Sequence, residues 1–119
     1  MPEAEIVAQI TPNPISVLPL LNQGETFLGA YCGPDGEIVR VILLPEEKAP
    51  SSWKSAMEWA KDLGGDLPNR VEQAMLFSYL RDQFKRAWYW SNQLHESDDS
   101  YAWCQYFYDG NQGYYYTLN

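Results

Sequence analysis

Apolar positions recur along this chain with two different periods, and the change between them marks its organisation. Over residues 88–119, WYWSNQLHESDDSYAWCQYFYDGNQGYYYTLN, the spacing is that of strands and the apolar residues are mostly aromatic, which suits a pleated, half-buried surface. Residues 85–92 predict a first strand, and the polar run 93–100, with no apolar periodicity, predicts a loop. Residues 101–108 resume the strand pattern, with Tyr101, Trp103, Gln105 and Phe107 on one face and Ala102, Cys104, Tyr106 and Tyr108 on the other. Asp109, Gly110, Asn111, Gln112 and Gly113 supply the residue types a tight reversal needs, so residues 114–118 are expected to return antiparallel and complete a hairpin.

Between residues 51 and 84 the period is helical. Ser51 or Ser52 is a natural N-cap, after which Trp53, Ala56, Met57, Ala60 and Leu63 fall on one face, with Lys54, Glu58, Lys61 and Asp62 mostly opposite. Gly64 and Gly65 stop that helix. Asn69 caps a second one, with Glu72 in capping-box register, and Val71, Met75, Leu76, Tyr79 and Leu80 form its expected buried stripe. It should fade near residues 82–84. Upstream, residues 3–10 alternate as a strand that Pro12 and Pro14 end, and residues 15–21 predict an extended segment interrupted by Pro19. Residues 25–32 and 37–44 read as two strands joined by a turn at Gly33, Pro34, Asp35 and Gly36, with Val39, Val41 and Leu43 facing one way and Ile38, Arg40 and Ile42 the other.

At 119 residues and 45% hydrophobic content the chain can build one core, so a single α+β domain is expected. Residues 1–50 would form an N-terminal β layer, and residues 51–119 the helices and aromatic strands. A net charge of −8 argues against a nucleic-acid phosphate backbone as direct partner, since such binding draws on clustered Lys and Arg, and here only Arg81, Lys85 and Arg86 group together. The acidic surface fits solubility or a basic protein partner. No run reaches the roughly 18 apolar residues of a membrane-spanning helix, and the start MPEAEIVAQI lacks the features of a signal peptide, so a cytoplasmic, membrane-free location is expected. Cys32 and Cys104 would then remain two reduced thiols, unless the fold brings them together.

A family resemblance rests on Trp53, Ala56, Trp59, Ala60, Leu63, Gly64, Gly65, Leu67, Pro68, Asn69, Arg70, Glu72 and Leu76. It continues through Trp88, Tyr89, Trp90 and Ser91, and then Ala102, Trp103, Tyr106, Phe107, Asp109, Gly110, Gln112, Tyr114 and Tyr115. In that order these residues resemble a bacterial and phage domain of unknown function typified by the C-terminal domain of a collagen-like adhesin. That family is similar in architecture to C-type lectins, formylglycine-generating enzymes and the variable proteins of diversity-generating retroelements. The resemblance covers residues 53–119 and implies a C-type-lectin-like fold, two helices packed on small antiparallel sheets, with variable loops on a kept aromatic framework. It also admits a virion-associated setting. Two departures stand out: Asn92 replaces a second serine after Trp90-Ser91, and the family's closing strand would lie beyond Asn119. The N-terminal segment or a neighbouring copy is therefore expected to cover an open sheet edge, which makes a homo-oligomer one expectation.

Candidate chemistry changes this picture little. His95, Glu96, Ser97, Asp98 and Asp99 could offer oxygen ligands to calcium, but they lack the alternation of an EF-hand loop and read first as a solvated acidic loop. Cys104 with His95, the only histidine, is the one conceivable nucleophile and base, and its apolar neighbours favour packing instead. No catalytic set, metal site or cofactor is expected. The five tryptophans, Trp53, Trp59, Trp88, Trp90 and Trp103, are expected to be mostly structural. Tyr114, Tyr115 and Tyr116 cannot all face inward, because neighbouring strand positions point to opposite sides, and Tyr115 is expected to be exposed. The mixture of Tyr, Ser, Asn, Asp and Gly is that of adaptable binding surfaces. A binding module for a protein or glycan is therefore expected, with Trp90, Asn92, Tyr106, Tyr108, Asp109, Asn111 and Tyr115 as its ligand-contacting residues. The alternative is an acidic phage-type inhibitor that occupies a nucleic-acid-binding site on a host protein.

Overall fold

The computed structural model describes residues 19–118. The expected strand at residues 3–10, the proline break after it and most of the extended segment 15–21 lie outside the described residues. Within them the order is β1 (Thr26–Cys32), β2 (Ile38–Leu43), α1 (Trp53–Asp62), α2 (Arg70–Leu80), a single 3-10 turn (Arg81–Gln83), β3 (Trp88–His95), β4 (Asp98–Tyr106) and β5 (Gln112–Tyr116). β1 and β2 pair antiparallel as a two-stranded sheet, and β3, β4 and β5 form a second antiparallel sheet with β4 in the middle. The chain is thus α+β, with two helices and two small antiparallel sheets. No described helix is long and apolar enough to cross a membrane.

Both helices start where side-chain capping predicts. Ser52 Oγ accepts the Ser55 backbone N–H at 3.3 Å, which selects Ser52 over Ser51 as the cap of α1, and Ala56 and Ala60 are its buried positions. At α2 the capping box is complete: Asn69 Oδ1 accepts the Glu72 N–H at 2.8 Å, and Glu72 Oε1 accepts the Asn69 N–H at 2.9 Å. Tyr31 of β1 joins it, donating to Glu72 Oε2 at 2.8 Å and accepting from Asn69 Nδ2 at 2.9 Å. Burial pushes the Tyr31 hydroxyl above its ordinary pKa, and this latch ties the first sheet to the head of α2.

The buried face of α2 departs from the expected stripe. Leu76 is buried as expected, but Val71 and Tyr79 are exposed and the other inward residue is Gln73. The cause is a polar contact that outweighs apolar periodicity. Gln73 Nε2 donates to the Tyr89 carbonyl at 2.9 Å, and the Gln73 carbonyl accepts Gln105 Nε2 from β4 at 2.6 Å. The chain of amides continues outward, since Gln112 Nε2 donates to Gln105 Oε1 at 3.1 Å and to the Arg70 carbonyl at 2.8 Å. These bonds fix how α2 is turned on the sheet, and Phe77, Phe84, Tyr89 and Phe107 then pack edge to face or stacked beside them.

The expected loop at residues 93–100 is also corrected. β3 runs on to His95 and β4 begins at Asp98, so Glu96 and Ser97 alone make the reversal. Polar residues serve as strand here because this end of the hairpin is exposed, and side chains bind the turn locally. The Ser97 N–H donates to His95 Nδ1 at 3.1 Å, and the Ser100 N–H to Asp98 Oδ1 at 2.9 Å. The first strand starts at Trp88 rather than residue 85, and β4 ends at Tyr106, which leaves Phe107 and Tyr108 in the next reversal. Gln112 and Gly113, expected in that turn, already belong to β5.

Candidate functional site

Register places Trp88 opposite Tyr106 and Trp90 opposite Cys104, while Ala102 and Cys104 face Tyr115 and Gly113. Trp88, Tyr106 and Tyr115 therefore share one side of the sheet. Their rings touch: Trp88 stacks on Tyr106 with centroids 5.0 Å apart and meets Tyr115 edge to face at 5.2 Å. Tyr108 extends the row at 5.9 Å from Tyr106, and the Arg86 guanidinium lies 5.3 Å above the Tyr108 ring. This row is open to solvent, with Trp88, Tyr108 and Tyr115 exposed by 42%, 59% and 43%.

Beside it opens a cleft of about 1380 Å³ whose lining includes Leu44, Trp59, Trp88, Trp90, Cys104 and Tyr115. A shallower hollow of about 780 Å³ lies against α2 at Arg70, Phe77, Asp109 and Gln112. Three of its polar side chains already have partners. Arg70 Nε donates to Gln112 Oε1 at 2.9 Å, the guanidinium sits 3.6 Å over Trp103, and Asp109 Oδ1 accepts the Asn111 N–H at 3.0 Å.

The residues singled out from the sequence thus separate. Tyr106, Tyr108 and Tyr115 come together on the aromatic row. Trp90 lines the cleft, but its indole N–H donates to the Ser51 carbonyl at 3.0 Å and holds the entry of α1. Asn92 braces the link between the helices, with its backbone N–H on the Pro68 carbonyl at 2.9 Å and its side chain on Asp66 at 3.3 Å. Asp109 and Asn111 serve their own turn. Trp88 and Arg86 complete the row and were not singled out. Adjacent aromatics on a strand signal two faces without saying which is covered.

Ser91 is fully buried between these parts. Its Oγ donates to the Trp103 carbonyl at 2.8 Å and accepts the Gln93 N–H at 3.1 Å, while its carbonyl accepts the Trp53 indole N–H at 2.8 Å. The tryptophan-serine pair of β3 is therefore where α1, β3 and β4 meet.

The conceivable nucleophile and base do not meet. The Cys104 thiol is buried beside Gly113, whose carbonyl it contacts at 3.5 Å, whereas His95 stacks on Trp103 at 5.4 Å and packs against Tyr114 at 4.5 Å. Cys104 and Trp103 are neighbours on β4 and face opposite ways. Burial pushes the Cys104 thiol up to about 12, so almost none of it is thiolate near neutrality. Cys32 is free and exposed, Cys104 free and buried. A thiol-reactive disulfide reagent at neutral pH is expected to modify Cys32 promptly and Cys104 only as the sheet opens. Thiol counts with and without denaturant check this, and prompt modification of both in native buffer would contradict it.

In the acidic turn, Glu96 Oε2 accepts the Trp103 indole N–H at 3.0 Å, a bond that holds its carboxyl below the usual carboxylate range. Among the described residues no three of His, Cys, Asp and Glu converge as a metal site would require. The chain matches no family model, no curated protein and no solved structure.

Proposed function

We propose that this chain is a non-enzymatic binding module of C-type-lectin-like fold, which recognises a protein or glycan through Trp88, Tyr106, Tyr108 and Tyr115. The observation that carries the reading is the ring row itself, solvent-exposed yet held in mutual contact before any partner arrives. Aromatic side chains already fixed by their neighbours lose little freedom on binding, and rings of this kind dominate interface energetics. The adjoining cleft favours a segment of protein over a single small molecule, because it exceeds the roughly 300–1,000 Å³ of small-ligand pockets. Two helices followed by three antiparallel strands, with a buried serine after Trp90, fit the lectin-like resemblance of residues 53–119.

The test is capture by the immobilised chain from an extract of its source cells, alongside a Tyr108→Ala/Tyr115→Ala variant. Both residues are exposed, Tyr108 by 59% and Tyr115 by 43%, so the thermal midpoint should move little, while capture should fall by roughly tenfold or more if each ring acts as an anchor. Undiminished capture by the double variant would refute the reading. The acidic-inhibitor alternative draws on the net charge of −8 and requires capture that weakens steeply with salt. Salt-insensitive capture would set it aside.

A further inference from the structure

β5 ends its sheet, and the parity of its ladder shows which backbone groups it leaves outward. The Tyr106 N–H donates to the Asn111 carbonyl at 2.8 Å, and the Thr117 N–H to the Ser100 carbonyl at 2.9 Å, so hydrogen-bonded pairs alternate between those two points. Gly113, Tyr115 and Thr117 are thereby bonded inward to β4. Gln112, Tyr114 and Tyr116 direct their N–H and C=O groups away from it, and among the described residues no backbone partner meets them. Sheets usually blunt such an edge with lysine, proline or a charged side chain. This edge has none, since no charged residue lies between Gly110 and Leu118.

We infer that the β5 edge is a dimerisation strand that pairs antiparallel with β5 of a second copy of this chain. The register that uses every outward group is symmetric about Tyr114, placing Tyr114 against its own counterpart and Gln112 across from Tyr116 of the other copy. In that register Gly113, which has no side chain, lies opposite Tyr115 of the second copy. The Trp88 indole already borders that position, 3.5 Å from where a Cβ on Gly113 would stand. Charge selects the same place. Each copy carries −8, so two copies approach most easily along a segment with no charged residue of its own.

The area suffices. Tyr114, Tyr115 and Tyr116 are 50%, 43% and 54% exposed and Leu118 is 89% exposed. Each offers roughly 100 Å². With the strand backbone, two copies approach the roughly 1,000 Å² that a specific interface requires. The twofold axis of such a pair stands perpendicular to the sheet, so both aromatic clefts open on the same side. The inference itself does not depend on the proposed partner.

Sedimentation across a concentration series, combined with amide hydrogen exchange on the full chain, tests it. The expected result is a monomer–dimer equilibrium in which Gln112, Tyr114 and Tyr116 amides gain protection with concentration, while Gly113, Tyr115 and Thr117 are protected throughout. Tyr114→Pro removes an outward donor together with the ring that packs on His95, Tyr101 and Trp103, and should give a monomer whose far-ultraviolet circular dichroism still reports both helices. A wild-type chain that stays monomeric overturns the inference, whether its Tyr114 and Tyr116 amides exchange fast or are covered from within the same chain. A dimer that persists in a folded Tyr114→Pro does so as well. If that variant fails to fold, the alternating exchange pattern of the wild type decides alone.

Discussion

Gly110→Ala is expected to destabilise the fold by about 2–4 kcal/mol, a large share of the roughly 5–15 kcal/mol that holds a domain of this kind together. Two causes act at once. Gly110 has φ +82°, a conformation that costs an L-residue about 1–2 kcal/mol. A Cβ there would also stand 2.9 Å and 3.0 Å from the Cδ2 and Cε2 atoms of Phe77, whose ring packs at 6.2 Å against Phe107. Moving Phe77 would disturb the packing of α2 on β4, and overpacking of this sort adds roughly 1–3 kcal/mol. Gly36 separates the two causes, because it has φ +84° and nothing within 4 Å of where a Cβ would stand. Chemical denaturation of both variants should show Gly36→Ala losing only the backbone contribution. Equal losses would mean that Phe77 yields freely and that the tight approach of turn to helix has no energetic weight.

Gln105→Leu is expected to cost about 2–3 kcal/mol although it makes the core more apolar, because buried groups that lose their partners each cost about 1–3 kcal/mol. The Gln105 side chain is 1% exposed and joins the Gln73 carbonyl to Gln112 Nε2. Leucine fills a similar space and serves neither. The loss should be a shift of urea midpoint at constant slope, since the exposed area of the two end states hardly changes. A neutral or stabilising result would instead show that α2 settles on the sheet by apolar contact and that the amide chain is incidental. Gln73 Oε1 is buried and has no partner among the described residues, so this network already contains one uncompensated acceptor.

Much of the architecture could be read from local chemistry. Gly110 in a run of turn formers predicted the β4–β5 reversal, and Asn69 with Glu72 predicted the start of α2, because both depend on interactions within a few residues. The turn of α2 on the sheet could not be read that way. It depends on Gln73 meeting Tyr89 and Gln105, partners distant in sequence, and a glutamine does not announce itself as a core residue. Residues 93–95 and 98–100 could not be read for the opposite reason: they run as strand at an exposed end where no apolar alternation is needed. For the candidate site, composition pointed to Tyr106, Tyr108 and Tyr115, whereas the central position of Trp88 follows only from the register that sets it opposite Tyr106.

The tryptophans divide unevenly, and that has an optical consequence. Trp53, Trp90 and Trp103 each give their indole N–H to a fixed oxygen, and Trp59 is half-buried on α1. Trp88 is the most exposed of the five, with 42% of its surface open to solvent. Emission quenched by iodide in water would therefore come chiefly from one indole at the centre of the ring row, giving the molecule an intrinsic, label-free gauge of whether that surface is wet or occupied.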